Sequence, residues 1–418
     1  MKVPDKKEDI TLEWLNIIFK PHRIHVHDFS FTGDASKGRG FMGSLEQVEL
    51  EISRLNNSID DVPDPKTSRE TLNIILKTLP NDPFRKSYAA NDGFSSREVS
   101  MYTKVFKAWD EFLDTRQVPS AARFRYPICY YGAEEGEQDT YKYILVLENL
   151  TSPESHFQLW TPGFTEPLPW KATSAVIRQI AKFHAIGISF KLENHVESYY
   201  SRFPKLNHIV SPMFQMMWDN GFQITKEVIQ SVVHKNDIPD GLMEQLDKLH
   251  DDEGRDLLLK WFTARDPPMD TTNLATICHH DLHSQNLVLS EDHTEAVLFD
   301  YQASCVFNPM KDLSFFLVLN CDWEDSVTNI SRTLKLYHDE FLEMMKATNT
   351  DFTYSLENIT KDYYRYLTFS LTHVMSGAQV WVTGKDSTDA SKRRFAMAII
   401  EAFNKGILEY PTTTSYMK

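Results

Sequence analysis

The chain has 418 residues, 41% hydrophobic and 12% aromatic, with 15 Gly and 19 Pro, a composition that excludes a disordered, collagenous or low-complexity protein. Its 59 acidic side chains outnumber 44 basic ones, leaving a formal charge of −15. A field of that sign repels phosphate backbones and anionic lipid heads, so nucleic-acid and membrane-surface binding are disfavoured, while a local basic pocket for a nucleotide remains allowed.

The length exceeds what one compact core serves, so two lobes are expected. Cys129, Cys278, Cys305 and Cys321 form no CxxC pair, which argues against a disulfide framework or structural zinc and suits a reducing compartment. The N-terminus is too charged for a secretory signal, and no run reaches the roughly 18 apolar residues of a membrane span. The expectation is a cytoplasmic protein with no obligate protein partner.

Residues 9–20 place Ile10, Leu12, Leu15, Ile18 and Phe19 as on a short amphipathic helix, and Arg23 to Phe31 turn β-like. The densest glycine cluster follows, with Gly38, Gly40 and Gly43 in G-x-G-x-x-G spacing. Leu45, Val48, Leu50 and Ile52 then alternate with polar residues as in a strand. Residues 53–69 are loop-like, and Leu72 to Lys77 is an apolar strand ending in lysine. A helix is predicted over 95–115, then strands at 126–131 and 141–148. Beyond about 150 the pattern is mostly helical, with segments near 170–188, 205–234, 240–263, 325–347, 355–381 and 388–408. The change of character at 148–151 marks the expected lobe boundary.

Four segments carry chemistry. The glycines precede a strand rather than a helix, so they would tip a β-hairpin, whose backbone N–H groups can lie over nucleotide phosphates. A plain flexible turn explains them equally well. Lys77, with Glu98 twenty-one residues later on the following helix, suits an ammonium held against the α- and β-phosphates, although most strand-end lysines are simply solvated.

The third segment runs Ile277-Cys-His279-His280-Asp281-Leu-His283-Ser-Gln-Asn286, an H-x-D with Asn five residues after the Asp. In a phosphotransferase loop such an Asp accepts or orients the attacking hydroxyl's proton, and the Asn with a second carboxylate holds magnesium. Zinc on the three histidines is an alternative, but the zincin Glu is missing and the segment reads as a loop entering a strand. A structural polar turn is the other alternative. The fourth segment, Ala296 to Asp300, is an apolar strand ending in a carboxylate fourteen residues after Asn286, a tight-hairpin separation that would bring the two oxygen ligands together for a hard cation. Asp312, at the start of the next helical run, reads either as an N-cap or as a brace for the loop.

In this order the segments follow a kinase-like fold, and the chain resembles the ecdysteroid kinase-like (CHK kinase-like) family, within the aminoglycoside phosphotransferase and choline kinase group. The resemblance spans about 30 to 410. It rests on Gly40-Phe-Met-Gly43, Leu76-Lys77-Thr-Leu-Pro80, Phe94 with Glu98 and Tyr102, Val146-Leu-Glu148-Asn149-Leu150, Phe183-His184-Ala185, Cys278-His-His-Asp281 with Asn286, Phe299-Asp300-Tyr-Gln302 and Asp312-Leu-Ser-Phe-Phe316. It implies an α+β, two-lobed protein-kinase-like fold, with an ATP-binding lobe over 1–148 and a catalytic, substrate-binding lobe over 149–418. It implies Asp281 as catalytic base, Asn286 and Asp300 as Mg2+ ligands, Lys77 and Glu98 as the phosphate-positioning pair, and the stretch with Glu148 and Leu150 as the adenine hinge. His280 stands where the family usually has a small residue such as glycine, His283 where an aromatic is usual, and Asn149 where Asp is common.

Only eleven residues separate Asp300 from Asp312, too few for the peptide-binding platform of a protein kinase, and no Ala-Pro-Glu signature follows. Between Glu148 and Asp281 lie 132 residues, enough for added helices that enclose a small acceptor. The expected activity is transfer of the ATP γ-phosphoryl group to a small-molecule hydroxyl. The resemblance points to an ecdysteroid or a related hydroxylated lipophile or xenobiotic. The alternatives are a choline- or aminoglycoside-type kinase and a non-catalytic binding protein. Tyr363, Tyr364, Tyr366, Phe369, Met375 and Trp381 form an aromatic stripe that reads more readily as core than as a ligand wall.

Overall fold

A computed structural model describes residues 2–35, 43–55, 68–80, 82–83, 85–86, 93–137, 140–207, 212–256, 274–384 and 387–409. The chain forms two compact units, Met1–Asp110 with Tyr126–His156 and Phe299–Ala303, and Glu111–Arg125 with Phe157–Leu298 and Ser304–Lys418.

The first unit is built on an antiparallel sheet of β1 (Ile24–Asp34), β2 (Ser44–Arg54), β3 (Glu70–Thr78), β4 (Cys129–Glu135) and β5 (Lys142–Glu148), in spatial order β1-β2-β3-β5-β4. Helix α1 (Leu12–Phe19), capped by the Thr11 hydroxyl, buries Trp14, Leu15, Ile18 and Phe19. They pack in one core with Val48, Leu50 and Ile52 of β2, Ile74 and Leu76 of β3, and Ile144 and Val146 of β5. These are every second residue of each strand, as a sheet with one buried face requires. Each fully buried aliphatic side chain contributes about 1.5–3 kcal/mol. The same alternation turns Lys77 to the opposite face, where α2 (Phe94–Ser100), a π turn (Met101–Val105) and α3 (Phe106–Thr115) form the helix expected over 95–115. The strand expected from 126 begins only at Cys129, because Pro127 has no N–H to donate to a ladder.

In the second unit α4 (Trp170–Glu193) packs on α8 (Ser331–Ala347), and α7 (Pro309–Asn320) on α9 (Leu356–Ser376). The segment expected over 205–234 is a 3-10 turn (Pro204–Leu206) and α5 (Pro212–Val232), each opening on a proline. Helix α6 (Leu242–His250) breaks at Asp251, helical residues resume over 252–256, and the rest of the stretch expected to 263 lies outside the described residues; α10 (Ala378–Trp381) is split from α9 at Gly377, and α11 (Asp389–Asn404) follows. Short strands β6 (Phe157–Leu159), β8 (Leu287–Ser290) and β9 (Ala296–Leu298) form one sheet; β7 (Thr276–Cys278) pairs with β10 (Cys305–Phe307). An antiparallel N-terminal sheet followed by a largely helical region is the protein-kinase-like fold. Among the described residues, no helix is long and apolar enough to cross a membrane.

Candidate active site

In the first unit Lys77 is 6% exposed and its Nζ lies 2.7 Å from Glu98 Oε2 and 2.7 Å from Asp300 Oδ1. Asp300 is 223 residues distant in sequence, and the way the segment Phe299–Ala303 joins this unit accounts for the contact. Tyr301 packs edge-on against Tyr102 at 5.7 Å and Phe106 at 4.8 Å, and the buried Arg97 donates to the Gln302 carbonyl at 2.7 Å. Asp300 has φ 65, a left-handed conformation that Asp tolerates better than most residues.

Burial works against the Lys77 ammonium, but Asp300 and Glu98 outweigh it and hold the proton more tightly than on an ordinary lysine. Burial pushes Glu98 up to about 7 against the pull of Lys77. One ammonium between two carboxylates leaves an excess negative charge, and the more buried acid carries the cost. Gly43 sits against this group: a Cβ there would stand 3.2 Å from Lys77 Cε and 3.3 Å from the Tyr143 hydroxyl. Gly38 and Gly40, in the connection from β1 to β2, lie outside the described residues. Glu148 closes β5, its N–H donating to the Ile128 carbonyl at 2.8 Å, while Leu150 is buried and the Asn149 N–H donates to the Asn73 carbonyl at 3.1 Å.

In the second unit the loop between β7 and β8 carries Asp281 and Asn286 together. The Asn286 amide nitrogen donates to the Asp281 carbonyl at 2.8 Å and lies 3.4 Å from Asp281 Oδ2. With that nitrogen engaged, the amide oxygen is the group available to a cation. β8 pairs antiparallel with β9, Leu287 opposite Leu298, so the hairpin expected from the spacing is present. Beyond it, however, Asp300 belongs to the first unit, with Lys77 as its partner. His283 Nδ1 accepts the Gln285 N–H at 3.2 Å, and its Nε2 lies 3.2 Å from the Asn286 amide nitrogen and 3.6 Å from Asp281 Oδ1. Burial raises the Asp281 carboxyl, but His283, then His279 and His373, outweigh it and hold the carboxyl below the usual range.

The loop is gripped by α7. Asp312 accepts the His279 N–H at 2.6 Å and the His280 N–H at 2.9 Å, and Asn320, eight residues along the helix, accepts the Ser284 N–H at 2.7 Å. The helix is N-capped by Asn308, so Asp312 is the brace and not the cap. Burial would raise the Asp312 carboxyl, yet His184 and Lys311 hold it below the ordinary value. His184 Nε2 is 3.2 Å from Asp312 Oδ2, and its Nδ1 is 3.0 Å from the Tyr337 hydroxyl.

The histidines of the loop do not converge for zinc. Among the described residues the one close group of metal-type donors is His184, Cys278 and Asp312, all buried, with ligand atoms within 4.8 Å. Asp312 already accepts two backbone N–H groups there, and His184 is engaged at both ring nitrogens. That arrangement fits a structural lock. The aromatic stripe divides: Tyr363, Phe369 and Met375 are fully buried core, while Tyr364, Tyr366 and Trp381 are half-buried. Sequence inspection missed Asn320 and Lys311 as loop-holding residues; only their position on the helix that starts next to Asp312 could have pointed to them.

No curated protein matches the sequence. Among solved structures, choline kinase from Cryptosporidium parvum Iowa II is similar at 14% identity, covering 95% of this chain and 98% of that one, with a TM-score of 0.40. Choline kinase LicA from Streptococcus pneumoniae is similar at 12% identity over 94% of this chain and 98% of that one (TM-score 0.34). Amicoumacin kinase hAmiN, solved with AMP-PNP and Ca2+, is similar at 13% identity over 95% and 94% (TM-score 0.40). The ecdysteroid kinase-like family model matches residues 37–350, well over half of the 418 residues. The chain therefore belongs to the ecdysteroid kinase-like family.

Proposed function

We propose that this small-molecule kinase transfers the γ-phosphoryl group of ATP, with Mg2+, to a hydroxyl of an ecdysteroid or a related hydroxylated lipophile or xenobiotic. The chain to residue 148 binds ATP and the remainder carries the catalytic and acceptor groups. The observation that carries the reading is the Asp281–Asn286 pair on a loop braced by Asp312, in a chain that also keeps Lys77 paired with Glu98.

In this reading Asp281 orients the acceptor hydroxyl and takes its proton; a carboxyl held below its usual range is ionised at neutral pH and ready to accept. Lys77 holds the phosphates, Glu98 holds Lys77, the glycines Gly38, Gly40 and Gly43 approach the phosphates, and Glu148 to Leu150 meet the adenine. Asn286 and Asp300 supply hard oxygen ligands that suit magnesium, which when bound would neutralise phosphate charge. Catalysis is then positioning and electrostatics, with no covalent intermediate on the protein. The match to the ecdysteroid kinase-like family favours a hydroxylated lipophile over the cations of a choline- or aminoglycoside-type kinase.

The test is Mg2+-dependent ATP consumption against ecdysteroids, choline, aminoglycosides and hydroxylated plant metabolites, with Asp281→Asn as the blank. Turnover on an ecdysteroid or another neutral hydroxylated compound, lost in the blank while ATP still binds, is expected. Turnover on choline or an aminoglycoside would replace the substrate class. ATP binding without turnover on the whole panel would favour a binding protein, and near wild-type turnover in the blank would remove Asp281 as the base.

A further inference from the structure

We propose that Lys311 is a positioning residue for the loop that carries Asp281, its buried ammonium holding the His280 carbonyl while Asp312 holds the His280 N–H. The functional part of this inference rests on the reading of Asp281 given above. His280 has φ 69, in the left-handed region that side chains with a Cβ avoid. Both of its backbone polar groups go to consecutive residues of α7: the N–H donates to Asp312 Oδ1 at 2.9 Å, and the carbonyl accepts Lys311 Nζ at 2.6 Å. The next residue is Asp281, so this grip sets the direction in which its carboxylate leaves the backbone.

Lys311 is fully buried, and its ammonium lies 4.5 Å from the centroid of the Phe315 ring. A lysine costs more to bury than a methionine of similar length, and a methionine there would leave the His280 carbonyl without this donor. The ionisable groups around Lys311 are Asp312 on its own helix, Cys305 of β10, Cys278 of β7 and Asp281 of the loop. His184 of α4 reaches Asp312, and His373 of α9 stacks on Phe315 at 4.8 Å. Burial loosens the hold of Lys311 on its proton, opposed by Asp312 and Cys305. The charge is therefore lost at lower pH than on an ordinary lysine.

The test uses the full chain with Mg-ATP and water as acceptor, in wild type, Lys311→Met, Lys311→Arg and Asp281→Asn, with hydrogen–deuterium exchange followed over 276–290. In Lys311→Met, exchange at the His279 to Asp281 amides should rise about tenfold or more, with the amides of β5 unchanged. Phosphate release should fall about tenfold at unchanged ATP affinity. Lys311→Arg should restore protection and move the alkaline fall of the rate to higher pH, because the guanidinium keeps its charge. Unchanged loop exchange in Lys311→Met would overturn the proposal, as would an Arg variant no better than Met. If Lys311→Met does not fold, the wild-type and Arg profiles decide, and coincident alkaline limbs overturn it. Wild-type phosphate release in Asp281→Asn would sink the reading of Asp281 instead, while loop exchange would still judge the grip of Lys311.

Discussion

Asp312→Asn removes the charge on which the loop hangs. The wild-type carboxylate is 1% exposed and accepts two backbone N–H groups, at 2.6 and 2.9 Å, with His184 at 3.2 Å. A hydrogen bond to a charged group contributes about 1.5–3 kcal/mol. The asparagine keeps one acceptor, turns an NH2 toward a backbone N–H, and leaves Lys311 without the adjacent carboxylate. Breaking a buried ion pair on one side typically costs about 3–5 kcal/mol, and we expect a loss of that size. Because two units need not unfold together, the measurement is urea-dependent hydrogen exchange at the β7 amides Thr276–Cys278, which reports on the unit concerned.

The pH dependence has a definite sign. The folded-state value of Asp312 is depressed, so its stabilisation is present above the unfolded carboxyl value of about 3.9 and is lost as pH falls through the folded one. The difference between wild type and variant should therefore be flat from about pH 5 to 8 and shrink below about pH 4. A difference under about 1 kcal/mol at pH 7, the scale of a single neutral hydrogen bond, would refute the argument. So would a difference that changes steeply between pH 5 and 8.

Lys77→Met leaves Glu98 and Asp300 facing each other without their cation, so we expect about 3–5 kcal/mol lost from the first unit, with Lys77→Met/Glu98→Leu recovering part of it. Thermal unfolding with and without Mg-ATP checks this, and the ligand-induced shift should also be smaller in the single variant. Gly221→Ala puts a Cβ 2.1 Å from the Ser376 carbonyl oxygen, where α5 crosses α9. The helices must part, at a cost of about 1–3 kcal/mol or more. Gly406→Ala, with φ +66 and nothing within 4 Å, should show only the left-handed backbone cost of about 1–2 kcal/mol, and denaturant midpoints compare the two.

The elements that period and punctuation determine were legible: α1 from its apolar spacing, β2 from alternation, β3 and β5 as short apolar runs, and the β8–β9 hairpin from a fourteen-residue separation. Boundaries set by a single backbone feature were less so, as at Pro127 and at the break between α9 and α10. Lys77 and Glu98 could be paired because the strand and the helix that carry them are close in sequence. The Lys77–Asp300 contact could not, because it depends on Tyr301 and Gln302 finding Tyr102, Phe106 and Arg97 some 200 residues earlier, which no local pattern encodes. Lys311 was invisible for a related reason. A lysine one residue from an aspartate near a helix start looks like a solvated pair, and only the packing of α7 under the loop buries it.

His280 and His283 are the two residues that most favour a chain that has kept the fold and lost the reaction, so their geometry bears on the choice. At His280 the side chain is turned inward, Nδ1 3.3 Å from Cys305 Sγ and the ring edge-on to Phe307 at 5.9 Å. The left-handed backbone costs about 1–2 kcal/mol with a Cβ present. Two charge-assisted bonds, from Lys311 and to Asp312, at about 1.5–3 kcal/mol each, are enough to offset it. The loop thus keeps a turn of the kind a small residue would adopt, and Asp281 leaves it with a side chain 24% exposed. His283 sets its Nε2 3.6 Å from that carboxylate and is the foremost group that lowers it against burial, which keeps it ionised at neutral pH. Both histidines are themselves buried, so on the proposed reading they shape the loop that carries Asp281 and take away no group that phosphoryl transfer would use.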